Sequence, residues 1–375
     1  MRKWIVISDS FKGTLSSREI CRLARAAAEK AGFDGELVTI PVADGGEGTV
    51  DCFAEACGGK LVSLTVSGPF GEPVQAQYAR LPDGTAVVEC AACAGLPMVE
   101  GRQDPERTTT YGVGELIRHA VEHGAARVIV GLGGSCTNDG GCGAAAALGV
   151  RFTDAGGKTF VPTGGTLQNI AGIDVSAARQ LLAPVELIAM CDIDNPMYGE
   201  HGAAYVFGPQ KGADAPMIER LDRGLRALDA AIRRELGSSA AALPGAGAAG
   251  GFGAGCVAFL GARLQSGIET VLETVHFDEQ LRGCEMVVTG EGKLDEQSIH
   301  GKVISGIARH CASAGVEAVA LVGALEADAD ALHRCGLSSA RSINPEGIDF
   351  RTAARHAGEY YTQALCTLIA ERCGH

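Results

Sequence analysis

The chain has 375 residues, enough for about two domains of roughly 150 residues each, which excludes a small disulfide or zinc scaffold. Hydrophobic residues make up 46% and glycine occupies 53 positions, about twice its usual share, so this is a folded globule whose backbone must come close to something. A net charge of −13 disfavours DNA, RNA or an anionic membrane as partner, because those surfaces are met with a basic field, and points to a small molecule instead.

The N-terminal apolar run, Trp4 to Ile7, is too short for a signal-peptide core, and no stretch approaches the ~20 residues that span a bilayer. A cytoplasmic protein with reduced, mostly buried cysteines is expected. Lys3 to Ser8 reads as a strand, Asp9 to Thr14 as a polar loop, and Ser16 with Glu19 as a capping box opening a helix that stops at Gly32. Glu36 to Val42 is a second strand, Asp44 to Thr49 a second loop, and a helix through Cys57 leads to a third strand, Leu61 to Val66. Val74 to Tyr78 and Ala86 to Glu89 alternate around Pro82-Asp83-Gly84, the signature of a hairpin and of a different, partly antiparallel layer.

Strand-loop-helix units return at 127–150 and near Glu186 to Asp192, followed by a long helix from about Pro216 to Leu236. By composition, 238–255 is the most linker-like stretch. Beyond it, Glu285 to Thr289, Val316 to Val322 and Ser339 to Ile343 are short strands, and Arg351 to Arg372 a last helix. The fold class is therefore α/β, with two α/β domains. Residues 1–67 plus 284–375 are expected to build a Rossmann-like parallel sheet from both ends of the chain, and 68–283 an inserted mixed α/β domain, with the active-site cleft between them.

Lysine is placed selectively. Of eight lysines, six have a glycine neighbour: Lys12, Lys60, Lys158, Lys211, Lys293 and Lys302. Lys60 and Lys158 sit in plain Gly-Gly-Lys turns, whereas the other four share their loops with acids, amides or hydroxyls. Glycine lets amides approach phosphate oxygens and lysine adds a mobile point charge, so these loops suit a phosphate site. Acids are equally localised: Asp44 and Glu47 flank glycines, Asn138 and Asp139 end the loop 131–139, Asp192, Asp194 and Asn195 follow an apolar strand, and Glu291 and Asp295 bracket Lys293. A carboxylate just past a strand end is where an open α/β sheet presents a ligand-facing group. Carboxylates for Mg²⁺, lysines and amides for phosphate, and one acid for a hydroxyl proton together suit phosphoryl transfer. For any one of these acids, a tight turn is an equal explanation.

Three motifs compete with this reading. Gly245 to Gly250 satisfies G-x-G-x-x-G but follows Leu243-Pro244 rather than a strand, which argues against a dinucleotide site and leaves a candidate phosphate or nucleotide loop. His119, Glu122 and His123 match a zinc-peptidase spacing, although histidine in a helix's last turn also complements the helix dipole. Cys90 and Cys93 form a lone C-x-x-C, expected as buried thiols. No G-x-x-x-x-G-K-[ST] occurs, which excludes a P-loop.

In order along the chain, the stretches 9–12, 41–49, 108–115, 133–141, 191–192 with 195–196, 207–213, 244–251 and 289–302 resemble the glycerate kinase type 1 family over nearly the whole length. Ser8, Cys136 and Lys293 depart from its usual pattern; lysine at 293 replaces an arginine and lacks its bidentate fork. The resemblance implies ATP-dependent phosphorylation of D-glycerate with Mg²⁺, commonly giving 2-phosphoglycerate, by a monomer or homodimer. Catalytic roles are expected for Asp192, Lys12 and Asp44, with Asp192 orienting or deprotonating the substrate hydroxyl. Substrate or phosphate contacts are expected from Ser10, Glu47, Ser135, Asn138, Lys211, Glu291, Lys293, Asp295 and Lys302. Gly133, Gly134, Gly140, Gly141, Gly245, Gly247, Gly250 and Gly251 would offer amides to the nucleotide, and Asp192 and Asp295 would take the metal. The alternatives are a 3-phosphoglycerate-forming kinase, a non-catalytic sugar-acid or nucleotide-binding protein on the same fold, and a zinc hydrolase built on His119.

Overall fold

The computed structural model describes residues 2–11, 13–295 and 302–374. The chain divides into two compact units, the first comprising Met1–Ala43, Glu55–Cys57 and Gly267–His375, the second Asp44–Ala54 and Gly58–Ser266. The divisions near 43 and 266 differ from those expected at 67 and 283. The first unit opens with strand β1 (Arg2–Ser8), whose last five residues are buried in succession, as befits a strand covered on both faces. A helix, Ser17–Lys30, follows with both arms of its capping box made: Ser16 Oγ accepts from Glu19 N at 3.2 Å, and Glu19 Oε2 from Ser16 N at 2.8 Å. Strand β2 (Gly35–Pro41) pairs parallel to β1 in register from Arg2–Gly35 to Ser8–Pro41.

The second unit carries a six-stranded sheet. Strand β3 (Lys60–Ser67) pairs antiparallel with β4 (Pro73–Arg80), and β4 with β5 (Ala86–Glu89), so β3 begins the mixed layer and does not extend the parallel pattern of the first two strands. Its exposed and half-buried residues alternate, the mark of a one-sided edge strand. From β5 onward the sheet is parallel through β6 (Arg127–Gly131), and a small antiparallel sheet of β7 (Arg151–Thr153), β8 (Thr159–Phe160) and β9 (Gly172–Asp174) intervenes in the chain. Strands β10 (Glu186–Met190) and β11 (Arg263–Gln265) complete the order β11-β10-β6-β5-β4-β3.

The stretch 238–255, linker-like by composition, is packed structure. Ala240, Ala241, Ala246, Phe252 and Ala254 are buried in the same core as Val88, Val130 and Leu116. Its small residues serve close backbone approach: a Cβ on Gly255 would stand 2.2 Å from the Gly140 carbonyl oxygen. Alanine and glycine here are a packing device, which composition cannot distinguish from a flexible tether.

The chain then returns to the first unit with β12 (Met286–Thr289), the short β13 (Lys293–Leu294), β14 (Glu317–Val322), β15 (Ala324–Leu325), which pairs with β13, and β16 (Ser339–Ser342). The sheet order is β16-β14-β12-β1-β2, all parallel, so both ends of the chain share one sheet around an inserted middle, as expected. Counted along this unit alone, the order is 2-1-3-4-5, a doubly wound arrangement whose direction reverses between β1 and β12. The loops beyond these two strands meet there, with Asp9 N donating to Gly290 O at 2.9 Å. The helix Ser17–Lys30 packs against the last helix, Phe350–Cys373, over a core that includes Trp4, Ile20, Tyr361 and Ile369. Among the described residues no helix is long and apolar enough to cross a membrane.

Candidate active site

In the second unit, β5, β6, β10 and β11 run parallel, and the segments beyond the carboxyl ends of β6 and β10 border a cavity of about 190 Å³. Its lining includes Leu132 to Ser135 after β6 and Cys191 to Ile193 after β10, together with Asp44, Lys211 and Ala249. Asp44 is exposed and held in an Asx turn, Oδ1 accepting from Gly46 N at 2.9 Å. The adjoining Gly45 carbonyl accepts from Gly133 N at 2.8 Å, which fixes the Asp44 loop to the β6 loop. Asp192 lies just past β10, as the strand reading expects, and lines the same cavity.

Lys211 ends a short 3₁₀ turn, Pro209–Lys211, which closes through Gly212 in the left-handed region. Its side chain is 3% exposed, and Nζ donates to Ser135 Oγ at 3.1 Å and to Thr137 O at 2.6 Å. Burial pushes its pKa down to about 8. The ammonium thus reaches the cavity wall already aimed, with two of its three donors satisfied by protein. Two carboxylates, one ammonium and one hydroxyl border a single small cavity, a set that can bind an anionic substrate and handle a hydroxyl proton.

The family description "Glycerate kinase family" matches residues 4–371. The chain belongs to the glycerate kinase family. It is 41% identical to a glycerate kinase of Bacillus subtilis over 370 residues, covering 98% of this chain and 97% of that one. It is also 41% identical to a glycerate 2-kinase of Escherichia coli K12, covering 91% of this chain and 90% of that one. A crystal structure of a protein assigned as glycerate kinase 2 from Salmonella typhimurium LT2 superposes with a TM-score of 0.87 at 38% identity, covering 100% of this chain and 98% of that one.

The sequence-predicted residues of this glycerate kinase family member divide between the two units. Asp44, Gly133, Gly134, Ser135, Asp192 and Lys211 border the cavity together. Glu47 is exposed ahead of the helix Thr49–Cys57 and is not among the lining residues. Asn138 is 1% exposed, and neither of its amide atoms has a hydrogen-bond partner among the described residues. In the first unit, Ser10 N donates to Asp9 Oδ1 at 2.7 Å, and Glu291 follows β12 at the strand-order reversal. Lys293 pairs with Glu326 at 2.9 Å and Asp295 at 3.3 Å, hydrogen bonds that raise its pKa; both Lys293 and Asp295 therefore have protein partners. Lys12 and the side chain of Lys302 lie outside the described residues.

Most of the glycine amides expected at the nucleotide are bonded within the protein. The amides of Gly133, Gly140 and Gly247 donate to Gly45 O, Gly250 O and Asn195 O, that of Gly251 to Gly247 O, and that of Gly141 to Asp139 Oδ1. Gly134 borders the cavity and Gly245 packs on Cys191, where a Cβ would stand 2.5 Å from Sγ. The G-x-G-x-x-G run ends in a helix, Ala248–Leu260, interrupted at its start by Ala249, Gly250 and Gly251, all with positive φ. Ala249, at φ 50°, is a non-glycine residue in the left-handed region on the cavity wall.

Asp139, left out of the predicted site residues, ties its own loop to Thr110. Fully buried, its carboxylate accepts from Thr110 N at 2.8 Å, Thr110 Oγ1 at 2.9 Å, Gly141 N at 3.1 Å and Gly143 N at 3.2 Å. Burial raises its pKa against these hydrogen bonds. The available signal was the run Thr108-Thr109-Thr110, an unusual density of hydroxyls before an apolar helix. His119 lies in the last turn of the helix Tyr111–Glu122, its Nδ1 3.2 Å from Tyr78 OH and its ring stacked on His123. Cys90 and Cys93 are buried, and burial raises both thiols.

Proposed function

We propose that this chain transfers the γ-phosphoryl group of ATP to the 2-hydroxyl of D-glycerate, giving 2-phosphoglycerate and ADP, as a type 1 glycerate kinase. The observation that carries the reading is the single cavity bordered by Asp192, Asp44, Ser135 and the buried ammonium of Lys211. Asp192 orients the glycerate hydroxyl and takes its proton as the hydroxyl oxygen attacks phosphorus. A new P–O bond forms, and the bond from γ-phosphorus to the bridging oxygen breaks, its electron pair leaving with ADP. Lys211 and Ser135 face the negative charge, on the substrate carboxylate or the phosphoryl group in transit. The glycines hold these groups in place by letting the strand-end loops touch.

Mg²⁺ prefers oxygen donors and is commonly held by one or two carboxylates together with substrate phosphates. Asp44 and Asp192 offer such carboxylates, and among the described residues no cluster of three or more His, Cys, Asp or Glu makes a ready cage. These donors suit an ion that arrives on the nucleotide, where it would offset charge on the phosphates. Phosphorus NMR of the product from D-glycerate, ATP and Mg²⁺ tests the reading. A 2-phosphoglycerate resonance with stoichiometric ADP is expected; 3-phosphoglycerate would overturn the regiochemistry, and no turnover would overturn the kinase reading.

A further inference from the structure

Glu89 has no part in the chemistry above, yet it stands at the carboxyl end of β5, beside the strand whose loop borders the cavity. It is 9% exposed and pairs in register with Gly131 of β6. Its Oε2 accepts from Val50 N at 3.1 Å, and the Gly48 amide supplies a second hydrogen bond. Both amides belong to the start of the helix Thr49–Cys57, where Gly48, at φ 88°, has no side chain to cap them. A carboxylate brought from the sheet supplies the cap, at the end of the helix where the dipole favours negative charge. Burial raises the Glu89 pKa against these two hydrogen bonds, and the charges of Asp51 and Glu47 raise it further.

The carboxylate secures the chain just ahead of the helix. Residues 44–48 include three glycines, Gly45, Gly46 and Gly48, so the loop has little stiffness of its own. One end is pinned to the β6 side, with Gly133 N donating to Gly45 O at 2.8 Å and Gly131 so close that a Cβ there would stand 2.6 Å from the same oxygen. Within the turn, Thr49 Oγ1 donates to Gly46 O at 2.7 Å. The other end is pinned by Glu89. Strands β6 and β5 thus each hold one end of the segment that presents Asp44 to the cavity, all within the second unit.

Building on the kinase reading, we propose that Glu89 is a positioning residue for phosphoryl transfer: from β5 it fixes the glycine-rich loop 44–48, and through that loop it sets where the Asp44 carboxylate meets the substrates. Misplacing an orienting group by about 1 Å can cost about 10²-fold in rate, so a residue that never touches substrate can govern kcat.

The test uses the full chain with D-glycerate, ATP and Mg²⁺, turnover being read as ADP release and stability by urea denaturation. Glu89→Gln keeps the shape and one acceptor oxygen, whereas Glu89→Leu keeps none. Per folded molecule, kcat is expected to fall about tenfold or more in Glu89→Gln and further in Glu89→Leu, with KM for glycerate within about threefold of the wild type. In an Asp44→Asn background, where no carboxylate is left to place, Glu89→Gln is expected to cost less than about twofold more. A plain helix cap would lose stability and leave kcat untouched; that result, or a rise in KM alone, overturns the proposal and leaves the kinase intact. A further loss of about tenfold in the Asp44→Asn background overturns it as well, because Glu89 would then act by another route. Should Glu89→Leu not fold, the near-isosteric Glu89→Gln decides by the same kcat and KM. A wild type that releases no ADP removes the kinase reading and this proposal with it.

Discussion

Replacing Lys211 by methionine keeps the length of the side chain and removes the buried charge. In the folded chain its pKa lies at about 8 against an ordinary 10.5, because burial penalises the ammonium. Below pH 8 the lysine is charged in both the folded and unfolded chain, and its contribution to stability does not vary with pH. Between pH 8 and 10.5 the unfolded chain binds more protons, so the contribution of the native lysine grows as pH rises. Each unit is worth about 1.4 kcal/mol, so the stability of the wild type relative to Lys211→Met should climb by roughly 3 kcal/mol across that window. Urea denaturation of both proteins at pH 7, 8, 9 and 10 measures the difference directly, and other titrating groups cancel in the comparison. A flat difference would refute the reasoning, since it would mean that the ammonium is solvated. At pH 7 the substitution leaves the Thr137 carbonyl and Ser135 hydroxyl without their donor, while kcat/KM for glycerate should fall about 10²-fold or more, the usual cost of removing one preorganised donor. The wild-type kcat/KM profile should itself decline above about pH 8 as the ammonium is lost.

Other substitutions probe separate parts of the argument. Asp192→Asn should lower kcat by about 10²–10⁴ with circular dichroism unchanged, and near-normal turnover would remove the residue from proton handling. Gly250→Ala forces a Cβ to within 2.1 Å of Thr137 O at φ 67° and should cost about 2 kcal/mol or more in a urea titration. Ala249→Gly, one position earlier, relieves a left-handed alanine and should raise stability by about 1 kcal/mol; a loss instead would show that its methyl packs better than its backbone strains. In the first unit, burial opposes charge on His310, but hydrogen bonds to Asp278 and Glu269 outweigh it and raise its pKa above 6.5. The stability it contributes is therefore full below pH 6.5 and lost as pH rises through the raised value, so the gap between wild type and His310→Gln should narrow from pH 5.5 to 8.5. Thermal melts at those two pH values would show it.

Much of the architecture was legible because local chemistry and tertiary structure agreed. The Ser16–Glu19 capping box, the turn at Gly32 and the strand ahead of Asp192 each form where their residue types dictate. Strand β3 was harder to place. A β-branched run says nothing about its neighbour, and only pairing with β4 reveals that it opens the mixed sheet. The segment 238–255 was misread for the opposite reason, since glycine and alanine serve a tether and a tight backbone contact alike. Within the site, the strand-end rule singled out Asp44 and Asp192, and the lysine placement found Lys211. The rule reached Asp139 only as one loop acid among several, and could not show its bond to Thr110 across 29 residues of sequence. Nor could it show that the amides of Gly133 and Gly247 are already bonded to other loops.

The parallel sheet of the first unit has a consequence for how the chain assembles. Strands β1 and β2 are synthesised first, yet β12, the partner on the other side of β1, follows more than two hundred residues later. The residues of the second unit emerge from the ribosome as a nearly unbroken stretch and can complete their sheet early, while β1 waits with one edge unpaired. The two ends of the chain come together, Arg2 Nη1 donating to the Arg372 carbonyl at 3.0 Å. A circular permutant opened between Ser266 and Gly267, with the old ends joined by a short linker, would deliver β12, β14 and β16 just ahead of β1 and β2. That wait would disappear, and refolding of the permutant should be faster than that of the natural order, because fewer distant contacts must close before the sheet is whole.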